Sequence, residues 1–280
     1  MSQLFGEVAG SYDEARPGYP PEIVEAIRGY HGGVPARLVE VGAGTGRATG
    51  MLLGLGAPMT CVEPDARMAE LLAARFPGVE VVVAPFEEWT PPPGGVPALA
   101  CAMAWHWLDP ETRNRRAYDA LSPGGTLAVF AHRYAYVDPA QAAALRTAFE
   151  SADPARHEDP AEDWFHADIA GRGRFADVRS VPFRRAVPLT MAAYQALVST
   201  FSPQLRRPPE LRERVLAAVG AAVDGFGGTV VLDLRTTLVL ARRPVDRLSP
   251  HRRHMIVGDA SAVPPPHFGR RPRAVPGTGG

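Results

Sequence analysis

Leu38-Val39-Glu40-Val41-Gly42-Ala43-Gly44-Thr45-Gly46 is the stretch on which the reading of this 280-residue chain turns. It runs from a short apolar strand through a tight glycine turn towards a helix. Glycines at 42, 44 and 46 remove side chains that would keep a ligand away from the backbone, and they permit positive φ in the turn. Nicotinamide-binding domains begin in a similar way, so the turn alone does not name the ligand. Two details separate the alternatives. The nicotinamide fingerprint G-x-G-x-x-G needs glycine at 47, where this chain has Arg47. Glu40 stands two residues before the first glycine, where a carboxylate repels a pyrophosphate and attracts a cation. The ligand is therefore expected to be cationic beside this turn.

Working outward, residues 36–133 alternate Val/Leu-rich apolar runs with segments of helical period, the pattern of βαβ units and a parallel sheet. Strands are predicted over 37–41, 59–63, 79–84, 98–104 and 126–132, with helices near 48–55, 66–76 and 111–121. The last of these stops at Ser122-Pro123-Gly124-Gly125, where proline cannot continue a helix and glycine supplies a turn. In the usual doubly wound order, Cys61 and Cys101 lie on the strands that flank the first one. Two strand spacings of about 4.8 Å exceed the roughly 7 Å limit for a disulfide, so both cysteines read as small core residues.

A helix over 139–151, a polar irregular stretch to 174 and a strand over 176–184 come next. Two helices follow, of which 210–223 places Leu211, Val215, Val219, Ala222 and Val223 on one face. A strand over 229–241 closes the fold, and its pattern suits an edge that hairpins onto the sheet. The fold class is thus α/β: a Rossmann-like, seven-stranded, mostly parallel sheet with helices on both faces and an antiparallel last strand. The expected domain is 1–243, with an N-terminal lid over 1–34 and a helical cap over 185–227 before the last strand. From 244 to 280, six arginines and several prolines without apolar period read as a disordered tail. His251 and His254 have no third or fourth ligand near them, so no metal site is expected.

Composition narrows the function. Basic and acidic residues balance at 30 each, with 46% hydrophobic residues, which gives no whole-chain attraction to nucleic acid or to an acidic membrane. All 30 basic residues are arginine, as in a GC-rich bacterial genome. No apolar run reaches the length of a membrane span, and the amino terminus lacks a signal-peptide pattern. The reading is a cytoplasmic protein, monomer or homodimer, that acts on a small molecule. Glu63 supports a cofactor site: it lies about 20 residues past the first glycine at the tip of the second strand, where a carboxylate can accept both ribose hydroxyls.

The chain resembles the class I, S-adenosylmethionine-dependent methyltransferases, and within them the trans-aconitate methyltransferase-like small-molecule group. The resemblance covers roughly residues 5–243. Its marks are SYDEARPGYP at 11–20, LVEVGAGTG at 38–46, VEPDARM at 62–68, PFEEW at 85–89, AWHWLD at 104–109 and LSPGGTLAV at 121–129. It implies S-adenosylmethionine as cofactor, with Glu40, Gly42, Gly44, Gly46, Glu63, Pro64 and Met68 among its contacts. It further implies adenine along Pro85, Phe86 and Glu87, although the wider superfamily often has Asp where this chain has Pro85. The methionine moiety would face the carbonyls of Ala102, Met103 and Ala104, with Tyr12, Arg16 and Tyr19 closing over its carboxylate. At the acceptor, His106 stands either as general base or as substrate wall, beside Trp105 as wall and Trp107 as core. Tyr194, Phe201 and Arg206 are candidate acceptor contacts from the cap. The implied activity is methyl transfer to a small organic molecule, with an oxygen of an organic acid or specialised metabolite foremost. N- or C-methylation, or a non-methylating outcome such as cyclisation, stands as the alternative.

Overall fold

A computed structural model describes residues 15–154 and 164–245. The segment 246–280, most of the stretch read as a disordered tail, and Tyr12 lie outside the described residues. Seven strands form one sheet in the order β3-β2-β1-β4-β5-β7-β6. They are β1 (Leu38–Val41), β2 (Met59–Glu63), β3 (Glu80–Val83), β4 (Val96–Ala102), β5 (Leu121–Tyr136), β6 (Ala176–Thr190) and β7 (Thr229–Arg242). β1 to β5 run parallel, and β7 pairs antiparallel with both β5 and β6. Among the described residues, no helix is long and apolar enough to cross a membrane.

The helices are α1 (Glu22–His31), α2 (Thr49–Leu52), α3 (Ala66–Arg75), α4 (Arg113–Ala120), α5 (Pro139–Ala152), α6 (Trp164–Gly171), α7 (Met191–Ser199), α8 (Ser202–Arg206) and α9 (Pro209–Gly225). All residues of β1 and β2 are buried, as expected of parallel strands covered on both faces. One face packs Val39, Val41, Leu99 and Cys101, and the other packs Leu38, Cys61, Ala98 and Ala100. Cys61 and Cys101 are both buried free thiols on opposite faces with β1 between them. α1, within the stretch read as a lid, buries Ile23, Val24 and Ile27 in the second of these cores. α3 is capped by Asp65, whose carboxylate accepts from the Arg67 amide at 2.9 Å and matches an otherwise unsatisfied donor.

Three elements depart from the sequence reading. β5 begins at Leu121, not Thr126, because the Ser-Pro-Gly-Gly segment is held from both sides: Leu121 pairs with Val96, and Gly124 and Gly125 exchange backbone bonds with Arg243. β7 is interior, not an edge. Its residues are buried on both faces over much of its length, whereas the edge is β6, which tolerates Pro182 and Pro188. α6 falls where an irregular stretch was expected. Its anchors Phe165 and Ile169, one helical turn apart, are both buried. In the cap region, α9 buries Val215, Val219 and Val223 in a third cluster shared with Leu145, Leu197 and Leu232, while Leu211 and Ala222 are only partly covered.

Candidate active site

The glycine turn leaves β1 at the carboxyl edge of the sheet, and its three glycines have three different reasons. Gly42 has φ 66°, and a Cβ placed there would lie 2.4 Å from Ala104 Cβ, so the turn presses against the end of β4. Gly44 has φ 58° and no atom within 4 Å of a would-be Cβ, so it is this glycine that leaves room for a ligand. Gly46, with φ 86°, would drive a Cβ to 2.6 Å from the Phe76 ring; it serves packing and does not line the cavity. The expectation that all three glycines make room for ligand is corrected in that respect.

Two acids frame the turn. Glu63, buried, accepts from the Gly44 amide at 2.8 Å and the Asp65 amide at 3.0 Å. Burial raises its pKa, and the two amides oppose that rise. Glu40 is 1% exposed; its Oε2 accepts from Thr49 Oγ1 at 2.5 Å, and its Oε1 is buried with no hydrogen-bond partner. Burial pushes its pKa up to about 7, with Thr49 and Cys61 opposing and the Glu63 charge adding to the rise. A buried carboxylate with an unmatched oxygen suits a cationic ligand that donates hydrogen bonds.

These groups open on a cavity of about 330 Å³. The structure brings together there Arg16, Tyr19, Glu40, Gly42, Gly44, Glu63, Pro64, Met68, Pro85, Phe86, Glu87, Ala102, Met103 and Ala104 of the residues named from the sequence. Met103 sits at φ 53°, a sparsely populated conformation for a residue with a side chain. Its amide donates to the Phe130 carbonyl and its Sδ accepts from the His132 amide. The segment 16–19 is strapped across the far side. Arg16 donates to the Thr200 carbonyl at 3.0 Å and to Thr200 Oγ1, Arg47 to the Pro17 carbonyl, and Arg185 to the Gly18 carbonyl.

The two tryptophans exchange roles. Trp105, expected as wall, is fully buried, with Nε1 donating to Asp168 at 2.8 Å, and Trp107, expected as core, lines the cavity. A 3-10 turn over Trp105–Trp107 reverses the alternation that a continued strand would have given. Asp168 also takes a fork from Arg113 at 2.9 and 2.7 Å and a bond from Asn114, which clamps that turn from beneath. His106 is exposed and outside the cavity lining, its ring 4.5 Å from that of Trp107. Desolvation by surrounding protein, then the Arg16 and Arg113 cations, lowers its pKa to about 4. Tyr194 is buried in the third cluster with its hydroxyl on Tyr136, away from the cavity. Phe201 and Arg206 stand one layer back: the Phe201 ring is 5.2 Å from Tyr134, and the Arg206 guanidinium is 5.6 Å from the Trp107 ring.

Sequence reasoning missed Thr45, Arg47, Trp107, Leu108, His132 and Tyr134, all of which line the cavity. His132 and Tyr134 are alternate residues of one strand and so share a face. His132 already ended the strand predicted from the sequence, whereas Tyr134 joins it because β5 runs on to Tyr136.

Against known proteins, a model described as "Methyltransferase domain" matches residues 38–125. An uncharacterized methyltransferase of Mycobacterium tuberculosis is 35% identical over 130 residues, covering 45% of this chain and 51% of that protein. One of Geobacillus kaustophilus is 30% identical over 174 residues, covering 57% and 77% respectively. A trans-aconitate 2-methyltransferase of Paracidovorax citrulli is 35% identical over 98 residues, 34% of this chain and 38% of that one. The chain thus spans about half the length of the first curated relatives it matches. A solved structure from Anaeromyxobacter dehalogenans, described provisionally as a type II methyltransferase, superposes with TM-score 0.66 at 19% identity, covering 82% of this chain and 99% of that one. That likeness speaks to fold.

Proposed function

The chain belongs to the S-adenosylmethionine-dependent methyltransferases, and from that premise we propose that it methylates an oxygen of a small organic acid. The observation that carries this reading is the polarity of the cavity. Glu40 and Glu63 lie at the glycine turn, while Arg16 and Arg47 stand with Tyr19, Tyr134 and His132 among its lining.

The residues present fit the cofactor. Glu40 Oε1 is an unmatched buried acceptor suited to an ammonium group, and the open face of Gly44 leaves backbone accessible beside it. Each Glu63 oxygen already accepts one amide and retains capacity to accept a ribose hydroxyl. Pro85, Phe86 and Glu87 would flank the adenine, and Arg16 the carboxylate. When bound, S-adenosylmethionine supplies a methyl group on a positively charged sulfur: its C–S bond breaks as the new C–O bond forms, leaving a neutral thioether and a methyl ester.

For such a displacement the protein contributes alignment above all. A carboxylate, with a pKa of about 4, is already ionised at neutral pH and has no proton to lose. Arg47, the other arginine of the lining, then orients it, since a guanidinium matches a carboxylate. His106, exposed and outside the cavity lining, is not placed to take a proton from an acceptor bound inside it, which supports the base-free reading.

The test begins with thermal unfolding in S-adenosylhomocysteine and, separately, NADH, each at about 1 mM, since a ligand at a hundredfold excess over Kd stabilises by about 2.7 kcal/mol. Methyl-ester formation is then followed by mass spectrometry over a panel of carboxylates, trans-aconitate included, beside phenols and amines. Stabilisation by NADH alone removes the cofactor assignment. Product from amines or phenols but from no carboxylate removes the acceptor assignment.

A further inference from the structure

At the acceptor side of the cavity, the tip of β4 offers no hydrogen-bonding side chain free for a substrate. Ala102 and Ala104 have none, and the Met103 sulfur is taken by the His132 amide. The facing polar group comes from β5. His132 lines the cavity and is 7% exposed. The β5–β7 register sets it opposite Thr236, whose Oγ1 lies 2.8 Å from Nδ1. Tyr19 stacks on the ring at 4.3 Å and 21°, so the imidazole is fixed both in its plane and at one edge. The other nitrogen, Nε2, is buried without a hydrogen-bond partner. A buried polar atom left unmatched is costly and calls for an explanation. One is a partner delivered by substrate.

The surroundings indicate what that partner is. Burial, followed by the cations of Arg185, Arg16 and Arg47, lowers the His132 pKa to about 3, while the Pro17 carbonyl favours a proton on the ring without reaching hydrogen-bond geometry at Nε2. At neutral pH the ring carries one proton, and as a base it is mismatched by several pH units. Three cations facing a neutral ring favour an anion, and a carboxylate oxygen can only accept.

We propose that His132 is the residue that recognises the acceptor: with Nδ1 held by Thr236, its Nε2–H donates to one oxygen of the acceptor carboxylate and orients the other towards the methyl group. This rests on methyl transfer to an organic acid, and it assigns His132 the positioning of that acid without any proton transfer.

The test uses the full chain, trans-aconitate as the carboxylate probe and S-adenosylhomocysteine as an independent control. His132→Phe keeps a ring for Tyr19 but removes the donor; His132→Asn restores a donor that cannot act as an imidazole base. In calorimetry on protein loaded with S-adenosylhomocysteine, His132→Phe should weaken trans-aconitate at least about tenfold and His132→Asn by less than about fivefold, as expected for one hydrogen bond to a charged group. The Kd for S-adenosylhomocysteine should stay within twofold in both. A long-range proton–nitrogen spectrum should show Nε2 protonated. Unchanged trans-aconitate affinity in His132→Phe overturns the proposal, as does a bare lone pair at Nε2 or absence of trans-aconitate binding to the loaded wild type. Failure of the wild type to bind S-adenosylhomocysteine at all instead overturns the proposed function. If His132→Phe is unfolded by circular dichroism, Thr236→Val, which frees the ring but leaves the donor, should raise the probe Kd by a smaller factor; no change there also refutes the assignment.

Discussion

Glu40 should make cofactor-site binding pH-dependent, and the size of the effect follows from its surroundings. In the ligand-free fold it is held to a pKa of about 7, chiefly by burial, with one oxygen unmatched. The unfolded chain gives up this proton near the ordinary glutamate value of about 4.3, while the fold retains it to about 7. Stability from this group is therefore present at low pH and declines as pH rises from about 4.5 through 7, by roughly 3 kcal/mol in total. An ammonium group placed against the carboxylate reverses that penalty and returns the pKa to about 4.5 or below. Binding then releases a proton across this window, and the Kd for S-adenosylhomocysteine should be on the order of 70-fold weaker at pH 5 than at pH 8. His106 and His132, at about 4 and about 3, do not titrate there. Calorimetry in two buffers of different ionisation enthalpy would read both the affinity and the released proton. Glu40→Gln, which keeps an acceptor for Thr49, should flatten the pH dependence, weaken binding at pH 8 and stabilise the ligand-free protein above pH 7. A wild-type Kd independent of pH without proton release would refute the argument. So would a Gln variant that keeps the wild-type slope, since Glu63 would then be the titrating group.

Three further outcomes are expected. Gly42→Ala should cost about 2–4 kcal/mol in urea denaturation, because a Cβ would sit 2.4 Å from Ala104 at positive φ, whereas Gly44→Ala, strained in φ but uncrowded, should cost about 1–2 kcal/mol and instead lose cofactor affinity. Equal behaviour of the two variants in both assays would contradict the separate roles given to these glycines. Asp168→Asn leaves buried Arg113 without its counter-charge and should destabilise by about 3–5 kcal/mol, with any surviving protein showing altered Trp105 fluorescence; a loss below about 1 kcal/mol would show that the cluster is not tightly clamped. Between pH 6.5 and 4 His132 stays neutral in the fold but takes up a proton near pH 6.5 once unfolded, a loss that opposes the gain from Glu40 over the same window; the wild-type Tm should therefore drop relative to that of His132→Phe as pH falls, and parallel curves would refute this.

What could be read from the residues alone was whatever depends on short-range pattern. The glycine turn after β1, Glu40 and Glu63 at strand tips, and the alternation that builds a parallel sheet are all encoded within about thirty residues of one another. The strand order that separates Cys61 from Cys101 followed from the same pattern. Some failures had a local signal that was passed over, such as Phe165 and Ile169 one turn apart in α6. Others had none. That Trp107 and not Trp105 reaches the cavity depends on a 3-10 turn held by Asp168 from 63 residues away. That Gly46 meets Phe76 while Gly44 meets open space depends on the packing of α3, and β5 continues past His132 to Tyr134 because β7 returns about 100 residues later to pair with it. The lining at the glycine turn comes from three short runs, 40–48, 62–68 and 85–87, each legible by itself in the sequence. The rest of the lining joins 16–19 and the β4 tip to Trp107, Leu108, His132 and Tyr134, so its composition was decided only when long-range pairing and packing brought those segments together.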